Sequence, residues 1–295
     1  MKSDKCYSCP RGCGVKREYD RQSDGFCKMP YNAVIARAAL HFDEEPVISG
    51  KKGSGAVFFS GCSLKCVFCQ NYEISHNNFG KAVSKNRFID IVKELEQQGA
   101  ENINLVNPSH FVPFIYDCFC EYMPSVPIVY NSGGYDSVES LKMLEGIVSV
   151  YLPDLKYHDN ALSQSFSKCS DYFVRASLAV LEMQRQQPRN VFENGLIKKG
   201  LIIRHLVLPS HSDDSVEILK WISENLPKET YISLMSQYTP LDRTYEFKEL
   251  NRRIVTAEYQ KVINSFFSFG LKNGFTQQRE SANCKFIPDF DLIGV

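Results

Sequence analysis

Three closely spaced cysteines constrain this chain more than any other feature of its sequence. Cys62, Cys66 and Cys69 come directly after the apolar run 56–59, which predicts a short buried strand with the cysteines on the loop at its carboxyl end. Thiols this close in sequence do not favour mutual disulfides, but they can bind one metal centre from one side. A four-iron cluster on three cysteines keeps one iron open to an external ligand. On this pattern alone, a zinc loop or a chance group of structural cysteines is the alternative.

A second group of cysteines lies near the amino terminus. Cys6, Cys9, Cys13 and Cys27 could supply the four thiolates of a closed metal site, and the neighbouring glycines and proline favour tight turns. The spacing is irregular for a zinc ribbon, so zinc and a second iron–sulfur cluster are both open, and free thiols in a loop are the alternative.

Composition excludes several classes of protein. The chain has 295 residues, a formal net charge of zero and 11 cysteines. The balanced charge gives no basis for binding nucleic acid or an anionic membrane. Since no apolar leader or membrane-spanning run is found and the cysteines cluster at metal-ligand spacings, we expect a cytoplasmic protein in a reducing compartment rather than a disulfide framework.

Strand and helix patterns alternate through most of the chain. Residues 31–40 favour a short helix and residues 41–55 a polar connector. Six strands are then predicted, at 56–59, 103–106, 127–130, 148–152, 201–208 and 231–235. Helical patterns cover 88–95, 111–122, 137–144, 159–187, 213–226 and 256–269. This alternation predicts an α/β fold with parallel strands, as a barrel or part of one, although a doubly wound sheet would give the same pattern.

Polar residues follow the predicted strands, where parallel α/β folds build their sites. Asp154 and Lys156 should point to one side of their strand and either bind a polar ligand or form a buried ion pair. Arg204 and His205 should face opposite sides, and we favour Arg204 as the inward residue because its guanidinium suits a carboxylate. The strand-end residues are Cys62, Asn107, Ser109, His110, Asn131, Ser132, Gly133, Gly134, Asp154, Lys156, Arg204, Ser236, Gln237 and Tyr238.

A few candidates have less certain roles. Gly133 and Gly134 suit either a tight turn or the close approach of a ligand to the backbone. The role of His110 stays open. Four further cysteines lack partners at ligand spacing and are interpreted as packing residues: Cys118, Cys120, Cys169 and Cys284.

Taken together, these motifs resemble the radical S-adenosylmethionine superfamily, whose signature is CxxxCxxC with an aromatic residue before the last cysteine, here Phe68. The chain is most similar to homologues of the pyruvate formate-lyase activating enzyme, in the branch with an extra amino-terminal cysteine segment. Three segments carry the resemblance, in order along the chain: residues 59–72, 153–156 and 203–209.

The resemblance implies a partial (β/α)6 barrel over residues 51–240, an amino-terminal cysteine-rich segment and connector over 1–50, and a helical extension packed on the barrel over 241–295. It implies a 4Fe-4S cluster on Cys62, Cys66 and Cys69, with S-adenosylmethionine chelating the fourth iron and being cleaved to a 5′-deoxyadenosyl radical. Cofactor contacts are expected from Asn107, Ser109, Ser132, Gly133, Asp154, Lys156, Arg204 and Gln237.

Two departures from the family pattern affect the expected substrate. The family's GGEP-like turn is replaced by residues 106–109, where Asn107 or Ser109 could bind the methionyl amino group. The histidine that follows the last barrel strand in the activating enzymes is absent, and Gln237 and Tyr238 lie near that position. The family implies a flavodoxin or ferredoxin as electron donor and a glycyl-radical enzyme as protein substrate. The alternatives are a small molecule or another macromolecule as substrate, and a non-catalytic iron–sulfur or metal-binding protein.

Overall fold

A computed structural model describes residues 5–276 and 288–295. Its strands are β1 (Val34–His41), β2 (Ser54–Phe59), β3 (Lys81–Ala82), β4 (Ile103–Val106), β5 (Ile128–Ser132), β6 (Val150–Pro153), β7 (Val191–Glu193), β8 (Leu196–Leu206), β9 (Tyr231–Met235) and β10 (Asn273–Thr276). Its α-helices are α1 (Pro46–Ser49), α2 (Tyr72–Ser75), α3 (Lys85–Gln97), α4 (Val112–Phe119), α5 (Val138–Met143), α6 (Asn160–Ser167), α7 (Tyr172–Gln186), α8 (Ser212–Asn225) and α9 (Thr256–Ser268).

The order of the strands distinguishes a barrel from a doubly wound sheet. The six predicted strands are β2, β4, β5, β6, β8 and β9, and each pairs in parallel with the next one in that series. A doubly wound sheet would reverse its order at a switch point, whereas this order continues in one direction. The predicted α/β partial barrel is therefore confirmed, and β10 adds a further parallel strand beyond β9.

The predicted helix at residues 31–40 is wrong. This segment forms β1, which pairs antiparallel with β2 and, at its start, with β3. Its small side chains are buried on both faces: Ala36 is packed with Phe58, and Ile35 with the main core. Alanine favours a helix in isolation, but two-sided burial on the edge of a sheet outweighs that preference.

The predicted helix over 159–187 is two helices, α6 and α7. Lys168 ends α6 in a left-handed conformation with a φ of 53°. This break turns the chain so that the end of α6 faces the cysteine-bearing loop after β2, while α7 packs against α5. Continuous apolar spacing cannot reveal such a turn, because both helices bury one face.

The interior of the barrel has an apolar layer and a polar layer. Alternate residues of the strands face inward, and at the amino ends of the strands these include Val129, Val150 and Ile202, which pack on Ile48 of α1. The next inward residues towards the carboxyl ends include Asn104, Asn131, Asp154 and Arg204. The opposite faces of the strands pack against the surrounding helices in the main core.

The carboxyl-terminal residues cover the outer side of β1. Leu292 N–H donates to Ala36 O at 3.0 Å, and Ala38 N–H donates to Ile293 O at 2.9 Å. Across residues 5–276 and 288–295, none of the helices combines the length and the apolar character needed to cross a bilayer.

Candidate functional site

The cysteine loop, residues 61–71, begins where β2 ends and lies across the carboxyl ends of the barrel strands. Gly61 opens it with a φ of 76°, a conformation that favours glycine. Lys65 N–H donates to Ser167 O at the end of α6 at 3.1 Å, which fixes the middle of the loop to the barrel wall. The helix break after Ser167 therefore positions the cysteines.

The three thiols of the cysteine loop have polar neighbours although the loop is largely buried. Cys66 is buried, and Cys62 and Cys69 are partly buried. Free structural thiols do not need such partners, whereas metal-bound thiolates are stabilised by donors around the sulfur. Leu64 N–H lies 3.3 Å from Cys62 Sγ, Ser167 Oγ donates to Cys66 Sγ at 2.9 Å, and Ser75 Oγ lies 3.2 Å from Cys69 Sγ.

Burial and nearby charge set the protonation of these thiols. Burial raises the pKa of Cys62 to about 12 and that of Cys66 to about 11. The positive charge of Lys156 acts against the effect of burial and lowers the pKa of Cys66, so this cation lies close to the cysteine loop. Metal binding must remove the thiol protons, and Lys156 stabilises the resulting negative charge.

A column of charged side chains runs from Lys156 to the interior of the barrel. Lys156 Nζ lies 2.5 Å from Asp154 Oδ2, and Arg204 Nε lies 2.9 Å from Asp154 Oδ1. On its other side, Arg204 Nη1 lies 3.3 Å from Glu44 Oε2, and Nη2 donates to Asn131 Oδ1 at 2.6 Å. Asp154 and Lys156 thus form an ion pair that is itself part of a network reaching the mouth of the barrel.

The pKa values of the charged groups in this column are set by burial and by the opposite charge of each neighbouring group. Burial alone would raise the pKa of Asp154, but the charges of Arg204 and Lys156 hold it below its ordinary value. Burial would lower the pKa of Arg204 and Lys156, and Asp154 raises both. All three groups are therefore ionised at neutral pH.

Glu44 is a site residue that sequence analysis did not identify. It lies in the connector before α1, yet its carboxylate accepts hydrogen bonds from Asn104 and Asn131 at 3.3 and 3.0 Å and pairs with Arg204. The adjacent Glu45 is also turned inward, and burial raises its pKa. Glu44 and Glu45 precede Pro46, and their local sequence does not indicate that they lie inside the barrel. They are placed there because β1 runs antiparallel to β2 and brings the chain back to the amino ends of the barrel strands.

Asn107 and Ser109 lie beside and beneath the cysteine loop. Asn107 has a φ of 63°, and its side-chain amide donates to Gly61 O at 2.5 Å, with Oδ1 3.4 Å from Cys62 Sγ. Ser109 is buried and hydrogen-bonded to Asp136. Asn107 supports the shape of the loop in this arrangement.

The turn after β5 approaches the cysteine loop through glycine. A Cβ on Gly133 would lie 3.3 Å from the Leu64 side chain and 3.7 Å from Lys156 Cε. Gly134 has a φ of 78°, and a Cβ there would meet Asp154 O at 2.0 Å. Ser132 is buried and donates to Asp136 Oδ2 at 2.6 Å. The turn brings backbone, rather than side chains, to the mouth of the barrel.

The segment after β9 lies against the other side of the cysteine loop. Tyr238 packs edge-on to Phe68, with ring centroids 6.2 Å apart, and Arg243 donates to Cys69 O at 2.6 Å. Gln237 lies near the end of β9, where its amide is 3.7 Å from the sulfur of Met235. Among the described residues, two buried hydroxyls here lack a hydrogen-bond partner, Ser236 Oγ and Thr239 Oγ1. They are available to a polar ligand.

The two buried histidines have structural partners. His205 faces away from Arg204 and bonds to Leu155 O at 2.7 Å and Ser215 Oγ at 2.8 Å. His110 Nε2 bonds to Ser60 O at 2.7 Å. Burial lowers the pKa of His205 to about 4 and that of His110 to about 3, so both are neutral at physiological pH.

The remaining cysteines separate into two groups. The four amino-terminal ones, Cys6, Cys9, Cys13 and Cys27, line one small cavity. Cys118 and Cys169 are buried away from it, Cys120 is exposed, and Cys284 lies outside the described residues.

Comparison with known proteins agrees with this geometry. The family described as a 4Fe-4S single cluster domain matches residues 49–114, which include the cysteine loop. The uncharacterized protein MJ0674 of Methanocaldococcus jannaschii is 32% identical over 275 residues, covering 90% of this chain and 75% of its own length. A solved structure of a spore photoproduct lyase mutant is 10% identical, with a TM-score of 0.51 over 82% of this chain and 80% of its own. This chain belongs to the same family as MJ0674. Its fold is similar to that of the spore photoproduct lyase structure, and the 4Fe-4S match at the cysteine loop agrees with the resemblance to the radical S-adenosylmethionine superfamily.

A second solved structure, SuiB of Streptococcus suis bound to S-adenosylmethionine, is 10% identical, with a TM-score of 0.48 over 74% of this chain and 48% of its own. The chain thus spans about half the length of SuiB. The identity to MJ0674 places that protein and this chain in one family.

The mouth of the barrel fits the cofactors of the superfamily, a 4Fe-4S cluster and S-adenosylmethionine. Three cysteines with surrounding donors suit a cluster with one open iron. The charged pair Asp154 and Lys156 and the unpartnered hydroxyls of Ser236 and Thr239 offer polar contacts to a zwitterionic nucleoside ligand.

Proposed function

We propose that this protein cleaves S-adenosylmethionine reductively at the mouth of its barrel and uses the product radical to take a hydrogen atom from a substrate. The observation that carries this proposal is the position of Lys156, which pairs with Asp154 and acts electrostatically on Cys66. When bound, the reduced cluster supplies one electron to S-adenosylmethionine, which gives methionine and a 5′-deoxyadenosyl radical that becomes 5′-deoxyadenosine on taking the hydrogen atom.

The residues of the chain bind and orient in this proposal. Lys156 would contact the methionyl carboxylate, and Asp154, which holds the lysine, would bind the ribose hydroxyls. Arg204 keeps Asp154 ionised and fixed from below. Because Gly133 has no side chain, the space between it, Leu64 and Lys156 is left free for a ligand.

Formation of 5′-deoxyadenosine tests the proposal. The full chain, reconstituted anaerobically with iron and sulfide, is given dithionite and S-adenosylmethionine, and the product is measured by liquid chromatography and mass spectrometry. We expect 5′-deoxyadenosine from wild type and none above background from Cys66→Ala. The control Cys120→Ala should also form it, because Cys120 is exposed and lies outside the cysteine loop and the amino-terminal group of cysteines. Equal amounts from wild type and Cys66→Ala would contradict the proposal and favour a non-catalytic iron–sulfur protein.

For the substrate, we propose a glycine of a glycyl-radical enzyme, with a flavodoxin or ferredoxin as electron donor. The support is the likeness of residues 59–72, 153–156 and 203–209 to the activating-enzyme homologues. The position of Asn107 fits a variant of that family in which residues 106–109 support the cysteine loop instead of forming a GGEP-like turn.

A glycyl radical in a candidate protein tests the substrate assignment. After incubation with the reduced enzyme, electron paramagnetic resonance of the candidate should show a doublet from the α-hydrogen that remains on the glycine. The doublet should collapse when the candidate contains α-deuterated glycine. Cleavage of S-adenosylmethionine without a protein radical in any glycyl-radical enzyme tested would favour a small molecule or another macromolecule.

A further inference from the structure

The amino-terminal cysteines come together on two tight turns. The first turn is closed by Gly12 N–H, which donates to Cys9 O at 3.0 Å, and the second by Lys28 N–H, which donates to Gly25 O at 2.9 Å. Gly12 and Lys28 have φ values of 52° and 59°. Residues far apart in sequence thereby present their thiols to the same cavity, with Cys6, Cys9 and Cys13 from one side and Cys27 from the other.

Three of these sulfurs are approached by N–H donors. The amide of Arg11 donates to Cys9, Phe26 N–H donates to Cys13 Sγ at 3.4 Å, and Arg17 Nη2 donates to Cys27 Sγ at 3.1 Å. A thiol packed as a small hydrophobic group needs no such donors, but a metal-bound thiolate is stabilised by them.

Charge at this cavity is balanced for a four-thiolate ion. Four thiolates around a divalent cation carry a formal charge of about −2, and two guanidinium groups, Arg11 and Arg17, line the same cavity. Among the described residues no carboxylate lines it. The charged side chains that line the cavity are therefore cations, and they would stabilise an anionic metal complex.

The cavity lined by the four cysteines is small. Its volume is about 10 Å3, which is room for roughly one water-sized particle. In the described ranges the four sulfurs do not converge at single-ion distances, so a bound ion would draw them inward across this gap.

We propose that Cys6, Cys9, Cys13 and Cys27 bind one zinc ion in a closed site that fixes the amino-terminal segment against the cysteine loop. The segment touches that loop directly: Arg11 Nε donates to Ser63 O at 2.8 Å. The role of the ion is structural because four protein ligands leave no open position.

A second contact joins the zinc site to the base of the cysteine loop. Gly61 packs so closely on the segment that a Cβ there would lie 2.5 Å from Met29 Cγ and 3.1 Å from Cys27 O. Arg17, which donates to Cys27, also donates to His110 O, and His110 bonds to Ser60 O. Loss of zinc should therefore loosen residues 60–64. This inference does not depend on the reaction at the barrel mouth.

Metal analysis of the full-length protein tests the site. Protein purified anaerobically and reconstituted with iron and sulfide should hold about one zinc and about four irons per chain. The double variant Cys9→Ser/Cys27→Ser should lose the zinc and keep the iron, Cys66→Ala should lose iron and keep the zinc, and Cys120→Ser should keep both. Zinc retained by the double variant, or about eight irons with no zinc in wild type, would overturn the assignment.

Two further measurements guard against a variant that fails to fold. Zinc K-edge X-ray absorption of wild type should show about four sulfur ligands near 2.3 Å, and nitrogen or oxygen ligands in their place would overturn the site. In the folded double variant, amides of residues 60–64 should exchange with deuterium at least about tenfold faster, with α3 unchanged. Unchanged exchange at residues 60–64 would refute the structural role.

Discussion

Replacing Arg204 by methionine removes the one cation that joins two carboxylates inside the barrel. Arg204 pairs with Asp154 at 2.9 Å and with Glu44 at 3.3 Å. The side chains of all three residues are largely buried, with exposed fractions of 17% for Arg204, 16% for Asp154 and 10% for Glu44. Methionine keeps most of the volume of the side chain, so the main change is in charge.

The expected cost of this substitution follows from the two distances. With an effective dielectric constant of about 20, each pair gives about 5 to 6 kcal/mol of Coulomb attraction, which desolvation of the three charges largely offsets. Removing Arg204 leaves Glu44 buried without its cation, and Asp154 keeps Lys156 as its remaining cationic partner. We therefore expect Arg204→Met to lower the free energy of unfolding by about 3–5 kcal/mol.

A double-mutant cycle with Glu44→Gln isolates this interaction. Glu44→Gln is the milder change, because Arg204 keeps Asp154 as its partner. In Arg204→Met/Glu44→Gln the orphaned charge of Glu44 is gone, so the double variant should lose about 1–3 kcal/mol less than the sum of the single losses. Anaerobic urea unfolding followed by far-ultraviolet circular dichroism measures all four proteins. An Arg204→Met loss under about 1 kcal/mol, or strictly additive losses, would refute the network.

Three further substitutions test other parts of the site. Lys156→Met should raise the dissociation constant for S-adenosylmethionine about tenfold to a hundredfold by removing a charge-assisted contact; an unchanged constant in a spectroscopic titration would remove Lys156 from the binding site. Burial lowers the pKa of His205 to about 4. Between about pH 6.5 and pH 4 the imidazole is therefore protonated in the unfolded chain but not in the folded protein, so stability decreases as the pH is lowered. Wild type should lose about 2 kcal/mol more than His205→Gln between pH 7 and pH 5 in urea unfolding, and equal losses would argue against a neutral buried His205. Gly134→Ala should cost at least about 3 kcal/mol because its Cβ would meet Asp154 O, whereas Gly99→Ala, with a φ of 84° and open space around it, should cost about 1 kcal/mol; similar thermal midpoints for the two would contradict this packing.

The barrel strands and the cysteine loop could be predicted from sequence because each carries a local signal. Apolar runs mark the buried strands, and strand direction in an α/β fold places their carboxyl ends on one side. That rule is enough to bring Cys62, Asp154, Lys156 and Arg204 to one region. The alternation of strand faces also puts Arg204 inward once its strand is in register with Asp154.

The features missed by sequence analysis depend on long-range contacts. Residues 31–40 have the composition of a helix, and only pairing with β2 makes them a strand. Glu44 enters the barrel because β1 returns the chain to the amino ends of the strands. Lys168 breaks an otherwise continuous helical pattern so that Ser167 can contact Cys66. None of these placements has a signal within its own stretch of sequence.

Electron paramagnetic resonance of the reduced protein shows whether the cluster at the cysteine loop has an open iron. If Cys62, Cys66 and Cys69 hold a 4Fe-4S cluster with one iron free of protein ligands, adding S-adenosylmethionine should change the g-values of the reduced cluster, and the change should saturate. Spectra that superimpose with and without saturating S-adenosylmethionine would mean that no iron of the cluster is open to this ligand.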